Sequence, residues 1–197
     1  MTSRARGGII KVQKEKRAHN PPLKKNKKIS KKELTNRKPC AIISTESERE
    51  VKTMVKEINF DMDGTLANFY GVEGWLEDLI NSNARPYAIA RPLFNFSALA
   101  RQIHRLQKLG YKVNIISWLS KSGTEDFNAE VTEVKREWLA KHLPSVEFDN
   151  IVIVKYGTPK STCGNGVLFD DEEPNRTEWG EGAYNVENIL ETLRSFR

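Results

Sequence analysis

The stretch Ile58-Asn59-Phe60-Asp61-Met62-Asp63-Gly64-Thr65-Leu66 ends a short apolar run in two carboxylates separated by one residue, with Gly-Thr directly after them. Such a run, opening into a glycine turn, reads as a buried strand over residues 55–60 that leaves a sheet at Asp61. Gly64 permits a turn in which backbone N–H groups approach an anion. Two acids at a strand's carboxyl end repel each other unless a cation lies between them. The spacing therefore suggests a metal site with oxygen ligands, and Mg²⁺ is the natural ion. Taken alone, Asp-Met-Asp-Gly also serves as an ordinary turn, because Asp and Gly are both turn residues.

The rest of the chain supplies alternating helix and strand patterns. Residues 68–96 are rich in aromatics and have helical spacing at Trp75, Leu76, Leu79 and Ile80, with breaks at Arg85-Pro86 and Arg91-Pro92. This reads as a small helical insertion over the carboxyl end of the sheet, and most of its aromatics read as core packing. Leu99, Ile103, Leu106 and Leu109 share one face of an expected helix over 97–109, with Ser97 as N-cap and Gly110 as its stop. An apolar strand over 111–117 follows, then a polar loop over 121–128. A second helix is expected over 129–143, carrying Val131, Val134, Trp138, Leu139 and Leu143 and ended by Pro144. His104 and His142 read as helix residues, the latter complementing the helix dipole. Strands are expected over 148–154 and 166–169, with a loop over 155–165 between them. A polar loop over 177–182, a brief strand at Ala183-Tyr184 and a closing helix over 185–196 complete the domain. The expected fold is α/β, a three-layer Rossmann-like parallel sheet with a small helical cap inserted after the first strand.

Three features downstream fit the opening acids. Ser117 places a hydroxyl at the end of the second strand, where a phosphoryl oxygen could be bound. Lys155 and Lys160 lie in the loop after the third strand, and a fixed cation is needed where several carboxylates meet a phosphate. Finally, Gly166-Val167-Leu168-Phe169 runs into Asp170-Asp171, a second apolar strand ending in acids. Adjacent side chains leave a strand in opposite directions, so one of this pair can meet a cation while the other pairs elsewhere.

In this order the four segments resemble the motifs of the haloacid-dehalogenase-like (HAD) phosphohydrolases, and within them the 5'(3')-deoxyribonucleotidase-like group. Asp-Met-Asp-Gly-x-Leu-Ala, the compact helical insertion, and Lys135 to His142 reading Lys-Arg-Glu-Trp-Leu-Ala-Lys-His all carry that likeness. The resemblance implies a Mg²⁺-dependent phosphomonoester hydrolase, most similar to a 5'-nucleotidase on (deoxy)nucleoside monophosphates. By the same resemblance Asp61 is the nucleophile and Asp63 the acid and base. Ser117 and Lys160 bind the phosphoryl group; Lys160 is preferred to Lys155 because it stands ten residues before Asp170. The metal is assigned to Asp61, the Asp63 backbone carbonyl, and Asp170 or Asp171. Phe69, Trp75 and Trp118 are candidates for the substrate pocket. The chain departs from the group at Ser117-Trp118-Leu119-Ser120, where Thr/Ser-Ser-Pro is common, and in its basic tail.

The net charge of +6 hides an asymmetry: residues 1–40 hold 14 Lys/Arg against two acids, whereas residues 41–197 hold 18 against 24. The first segment lacks aromatics and reads as a disordered tail, followed by a linker over 41–54 and the phosphohydrolase-like domain over 55–197. A tail of this kind is either a solvated arm or a non-specific contact for RNA, DNA or another polyanion. Cys40 and Cys163 have no Cys or His cluster around them, so no disulfide framework or zinc site is indicated. With no apolar run of about 20 residues and no apolar leader, a soluble cytoplasmic protein without a membrane partner is expected. Deleting residues 1–40 should abolish retention on a polyanion column and leave turnover of a small substrate within about twofold of the full chain. Salt-gradient chromatography and an activity assay on both forms check this.

Overall fold

Short apolar segments bounded by turns become strands here, most deeply buried where they lie in the middle of the sheet. A computed structural model describes residues 56–197. The expected tail, the linker with its Ala41-Ile42-Ile43 run, Cys40 and Val55 lie outside the described residues. The strands are β1 (Glu57–Phe60), β2 (Lys112–Trp118), β3 (Asn150–Val154), β4 (Val167–Phe169) and β5 (Ala183–Tyr184). All neighbouring pairs are parallel, in the order β3-β2-β1-β4-β5. The chain runs outward from β1 through β2 and β3, then returns to lay β4 and β5 on the other side of β1. Open parallel sheets form a ligand crevice at the carboxyl ends of strands where the order reverses. β1 and β4 are the neighbours at that reversal, and both end in acids.

One face of the sheet presents Ile58, Phe60, Val113, Ile115 and Phe169 to a core completed by helices α3 (Phe96–Lys108), α4 (Glu125–His142) and α6 (Ile189–Ser195). The α3 stripe Leu99, Ile103 and Leu106 is fully buried, as the spacing predicts, whereas Leu109 is largely exposed. Phe60 and Phe169 stack across β1 and β4 with centroids 5.2 Å apart. The expected α/β layered fold with a parallel sheet is the one observed.

Several boundaries differ for identifiable reasons. The N-cap of α3 is Asn95, whose side chain accepts from the Ala98 N–H at 3.0 Å, so Ser97 lies inside the first turn. The next helix, α4, begins four residues before the expected start, inside the expected loop 121–128. Thr124 caps it, accepting from Phe127 N–H at 3.3 Å, and Glu125 and Asp126 complement the dipole of the first turn. Part of the expected 177–182 loop belongs to α5 (Glu173–Trp179), which opens with Pro in its first turn. The final segment divides into a 3₁₀ turn (Val186–Asn188) and α6. His104 donates to the Ser145 carbonyl at 2.7 Å, and His142 packs on Trp138. Among the described residues no helix is long and apolar enough to cross a membrane.

The insertion after β1 contains α1 (Trp75–Ile80) and α2 (Arg85–Ile89). Arg85-Pro86, read from sequence as a break, opens α2, where the missing proline N–H costs nothing. The stripe expected at Trp75, Leu76, Leu79 and Ile80 is not buried as a unit, since Leu76 and Ile80 are 55% and 75% exposed. What attaches the insertion is a separate cluster of Phe69, Ala84 and Tyr87 against Phe127 and Val131 of α4. Trp138 adds a hydrogen bond from its indole to the Ala90 carbonyl at 2.7 Å.

The other face of the sheet carries a polar ladder. Asn59, Asn114 and Asn150 occupy paired positions on β1, β2 and β3. Asn150 Nδ2 donates to Asn114 Oδ1 at 3.0 Å, and Asn114 Nδ2 donates to Asn59 Oδ1 at 2.9 Å. Asn59 Nδ2 then donates to the carbonyls of Asn165 and Val167, at 2.7 and 3.0 Å. The ladder thus fixes the segment entering β4 against β1. Replacing Asn114 by Leu strands an acceptor on Asn59 and a donor on Asn150, and should cost about 2 kcal/mol. Denaturant unfolding of the variant measures the loss.

Candidate active site

The turn after β1 brings Asp61, Asp63 and Thr65 into the crevice, and β4 delivers Asp170 and Asp171 beside them. Gly64 makes the approach possible: its φ is +81°, and a Cβ there would collide with the Asp171 carboxylate. Asp61 and Asp170 are both buried, and Lys160 lies between them. Its Nζ donates to Asp61 Oδ1 at 2.6 Å and to Asp170 Oδ2 at 2.5 Å. Lys160 begins a 3₁₀ turn (Lys160–Thr162) and is 2% exposed, while Lys155, the alternative considered from sequence, is exposed. Burial works to lower the Lys160 pKa, but Asp61 and Asp170 outweigh it and the net shift is upward.

Thr65 links the two strand ends. Its Oγ1 lies 3.3 Å from Asp61 Oδ2 and 3.1 Å from Asp171 Oδ1, and it accepts the Asp171 N–H at 3.1 Å. The Asp170 carboxylate also accepts from Asn175 Nδ2 and the Glu172 N–H, while the Arg176 guanidinium donates to the carbonyls of Asp170 and Asp171. Thr65 belongs to the opening motif but no role was read for it from sequence, and none was read for Asn175 or Arg176, because each acts through a partner brought near only by the fold.

A second lysine was also missed. Lys135, in the middle of α4, is fully buried and donates to Asp63 Oδ2 at 2.6 Å, Ser117 Oγ at 2.9 Å and the Trp118 carbonyl at 2.6 Å. The clue was present: Val131, Lys135, Trp138 and Leu139 form one helical stripe, and a charge on an apolar stripe needs a buried partner. Ser117 is itself fully buried, so its hydroxyl meets Lys135 and has no surface on the crevice.

Asp61, Asp170 and Asp171 each place a carboxylate oxygen within 4.8 Å of the others, an arrangement fitting a hard divalent cation. The Asp63 carboxylate is held apart by Lys135. Burial, then the charges of Asp61 and Asp170, push the Asp171 carboxyl up to about 7. Burial followed by Asp61 raises Asp170, and burial is the first cause of the upward shift of Asp63. Asp61, Asp63, Asp170, Asp171 and Glu172 outnumber the two buried ammonium groups of Lys135 and Lys160 in this region, and a divalent cation would reduce that excess. Mg²⁺ therefore fits the donor set.

A cavity of about 290 Å³ opens beside these groups. Asp61, Asp63, Lys160, Asp171 and Glu172 contribute to its lining, together with Phe69, Tyr70, Trp75 and Tyr87 from the insertion and with Trp118 and Tyr156. All three aromatics proposed from sequence thus reach the same cavity, although Phe69 is also packed tightly against Tyr87, with centroids 4.6 Å apart. The Trp118 indole donates to the Thr158 carbonyl at 2.9 Å, which fixes its plane, and Tyr156 lies 4.8 Å from it.

No protein-family model matches the sequence, and no curated protein matches it. Among solved structures, a D,D-heptose 1,7-bisphosphate phosphatase from Burkholderia thailandensis is 13% identical, with 72% of this chain and 97% of that one covered at a TM-score of 0.46. A target protein from Vibrio cholerae is 19% identical, with 70% and 95% covered at a TM-score of 0.37. Both likenesses are distant.

Asp171 offers a test of the charge imbalance. A carboxyl raised from 3.8 to about 7 holds its proton more tightly in the folded state than in the unfolded one. Its contribution to stability is therefore largest below about pH 4 and is lost as pH rises through about 7. In chelator, Asp171→Asn should raise the melting temperature by about 5 °C at pH 8 and change it little at pH 4. Thermal melts at the two pH values decide it.

Proposed function

We propose that the chain is a phosphomonoester hydrolase working through an aspartyl-phosphate, as in the HAD-like enzymes its motifs resemble. The observation that carries this reading is Asp61: a buried carboxylate at the sheet's reversal point, paired with Lys160 and placed one residue from a second, separately held carboxyl at Asp63. A structural ion pair has no need of Asp63, Asp170 and Asp171 in the same crevice.

In this scheme an Asp61 oxygen forms a bond to phosphorus as the bond to the ester oxygen breaks, and Asp63 protonates the departing oxygen. Asp63 then takes a proton from the water that displaces Asp61, releasing phosphate. Lys160 balances charge beside the phosphoryl group, and we assign Ser117 to holding Lys135, since it is fully buried. Mg²⁺ held by Asp61, the Asp63 carbonyl and Asp170 or Asp171 would supply Lewis-acid stabilisation of phosphoryl charge.

The cavity supports a nucleoside monophosphate as substrate. Its volume is at the small end of ligand pockets, and its lining combines aromatic side chains that suit a planar base with the charged groups that take the phosphate. Burial raises the pKa of Tyr70 and Tyr87, so both phenols stay neutral. The basic segment 1–40 favours a second reading, in which the phosphate belongs to a nucleic-acid terminus. A panel of (deoxy)nucleoside monophosphates and 3'- or 5'-phosphorylated oligonucleotides, with Mg²⁺ and then with chelator, separates the two. Turnover confined to oligonucleotides and dependent on residues 1–40 would favour the second. Asp61→Asn should lower turnover by ~10³-fold or more with an unchanged circular dichroism spectrum; a folded variant within tenfold of wild type would overturn the scheme.

A further inference from the structure

Lys135 is a buried cation to which the reaction scheme gives no part. An ammonium has three protons, and here each meets one acceptor: Asp63 Oδ2, Ser117 Oγ and the Trp118 carbonyl. The acceptors come from the loop after β1 and from the end of β2, while the lysine comes from α4, so three elements fix one nitrogen. The Tyr87 ring closes the site from the insertion, its centroid 4.9 Å from Nζ. With every donor engaged and no exposed surface, the ammonium has one orientation.

The consequence falls on Asp63. Its Oδ2 is held by Lys135, whereas Oδ1 is buried without a hydrogen-bond partner among the described residues, and the residue lines the cavity. A buried carboxyl oxygen without a partner is costly unless it carries a proton or awaits one. We infer that Lys135 is a positioning residue: by holding Oδ2 it fixes the place and plane of the carboxyl through which Asp63 gives and takes the proton. This rests on the phosphatase reading above. In the first step the proton on the Asp63 carboxyl passes to the ester oxygen as that oxygen leaves phosphorus and Asp61 bonds to it, so the alcohol departs neutral. In the second, the Asp63 carboxylate takes a proton from the water whose oxygen bonds to phosphorus while the Asp61–phosphorus bond breaks.

The test compares leaving groups in single-turnover reactions, so that only formation of the aspartyl-phosphate is read. A nucleoside monophosphate leaves as an alkoxide unless protonated, whereas p-nitrophenyl phosphate leaves as a stable phenolate and needs no proton. Lys135→Met should slow the nucleotide by ~100-fold or more and nitrophenyl phosphate by less than about tenfold, matching the pattern of Asp63→Asn. Lys135→Arg, which keeps the charge but cannot repeat the three-way geometry, should show the same selective loss; it also provides the test if the methionine variant does not fold. Equal losses on both substrates in a folded variant, or full nucleotide turnover by the arginine variant, would overturn the inference and leave Lys135 a charge-balancing group. A wild-type protein that turns over neither substrate overturns the phosphatase reading itself, and the inference with it.

Discussion

Lys160 sits between two carboxylates that the sheet forces together. β1 and β4 are hydrogen-bonded neighbours, so Asp61 and Asp170, one residue beyond each, cannot separate without breaking the strand pairing. At 2.6 and 2.5 Å from them, the ammonium turns a repulsive strand end into a stable one. Buried pairs contribute little net stability over an apolar core, because desolvation offsets the attraction, but losing one partner leaves an uncompensated charge. Lys160 is thus better understood as a condition for having acids in the crevice than as a staple added to the fold. Gly64, Thr65 and Arg176 serve the same convergence, through close approach, a shared hydroxyl and bonds to the turn carbonyls.

The second lysine connects the site to the rest of the molecule. α4 carries Phe127 and Val131, on which the insertion packs, and one turn later Lys135, which holds Asp63. The same helix therefore places the aromatic wall and one carboxyl of the site, and Trp138 continues the stripe into the main core. Distance between wall and acids is set by a rigid element instead of a loop. The asparagine ladder does comparable work on the opposite face by tying the segment before β4 to β1. Both devices put polar groups inside the protein; the ladder amides and the Lys135 ammonium have their hydrogen bonds met, whereas Asp63 Oδ1 has no partner among the described residues.

The sequence by itself determined the strands and the order of the acidic motifs, since these depend on short apolar runs along the chain; the preference for Lys160 over Lys155 rested on the family resemblance. It located α3 because an apolar stripe repeats with helical period, but it started α4 four residues late and gave no helix at α5. The segments concerned are mostly polar, and composition there resembles a loop. Lys135, Thr65, Asn175 and Arg176 act across sequence separations or through backbone atoms, so their partners were not legible locally, although a charge on the apolar stripe of α4 marked Lys135. Only the tertiary structure decided that Ser117 faces a lysine, that Asp63 is held apart from Asp61, Asp170 and Asp171, and that aromatics from the insertion and from the strand ends share one cavity. The physical reason is that burial and pairing of charges are properties of three-dimensional neighbourhood. A chain can state which side chains carry charge; the packing of α4 on the sheet states which oxygen each ammonium faces.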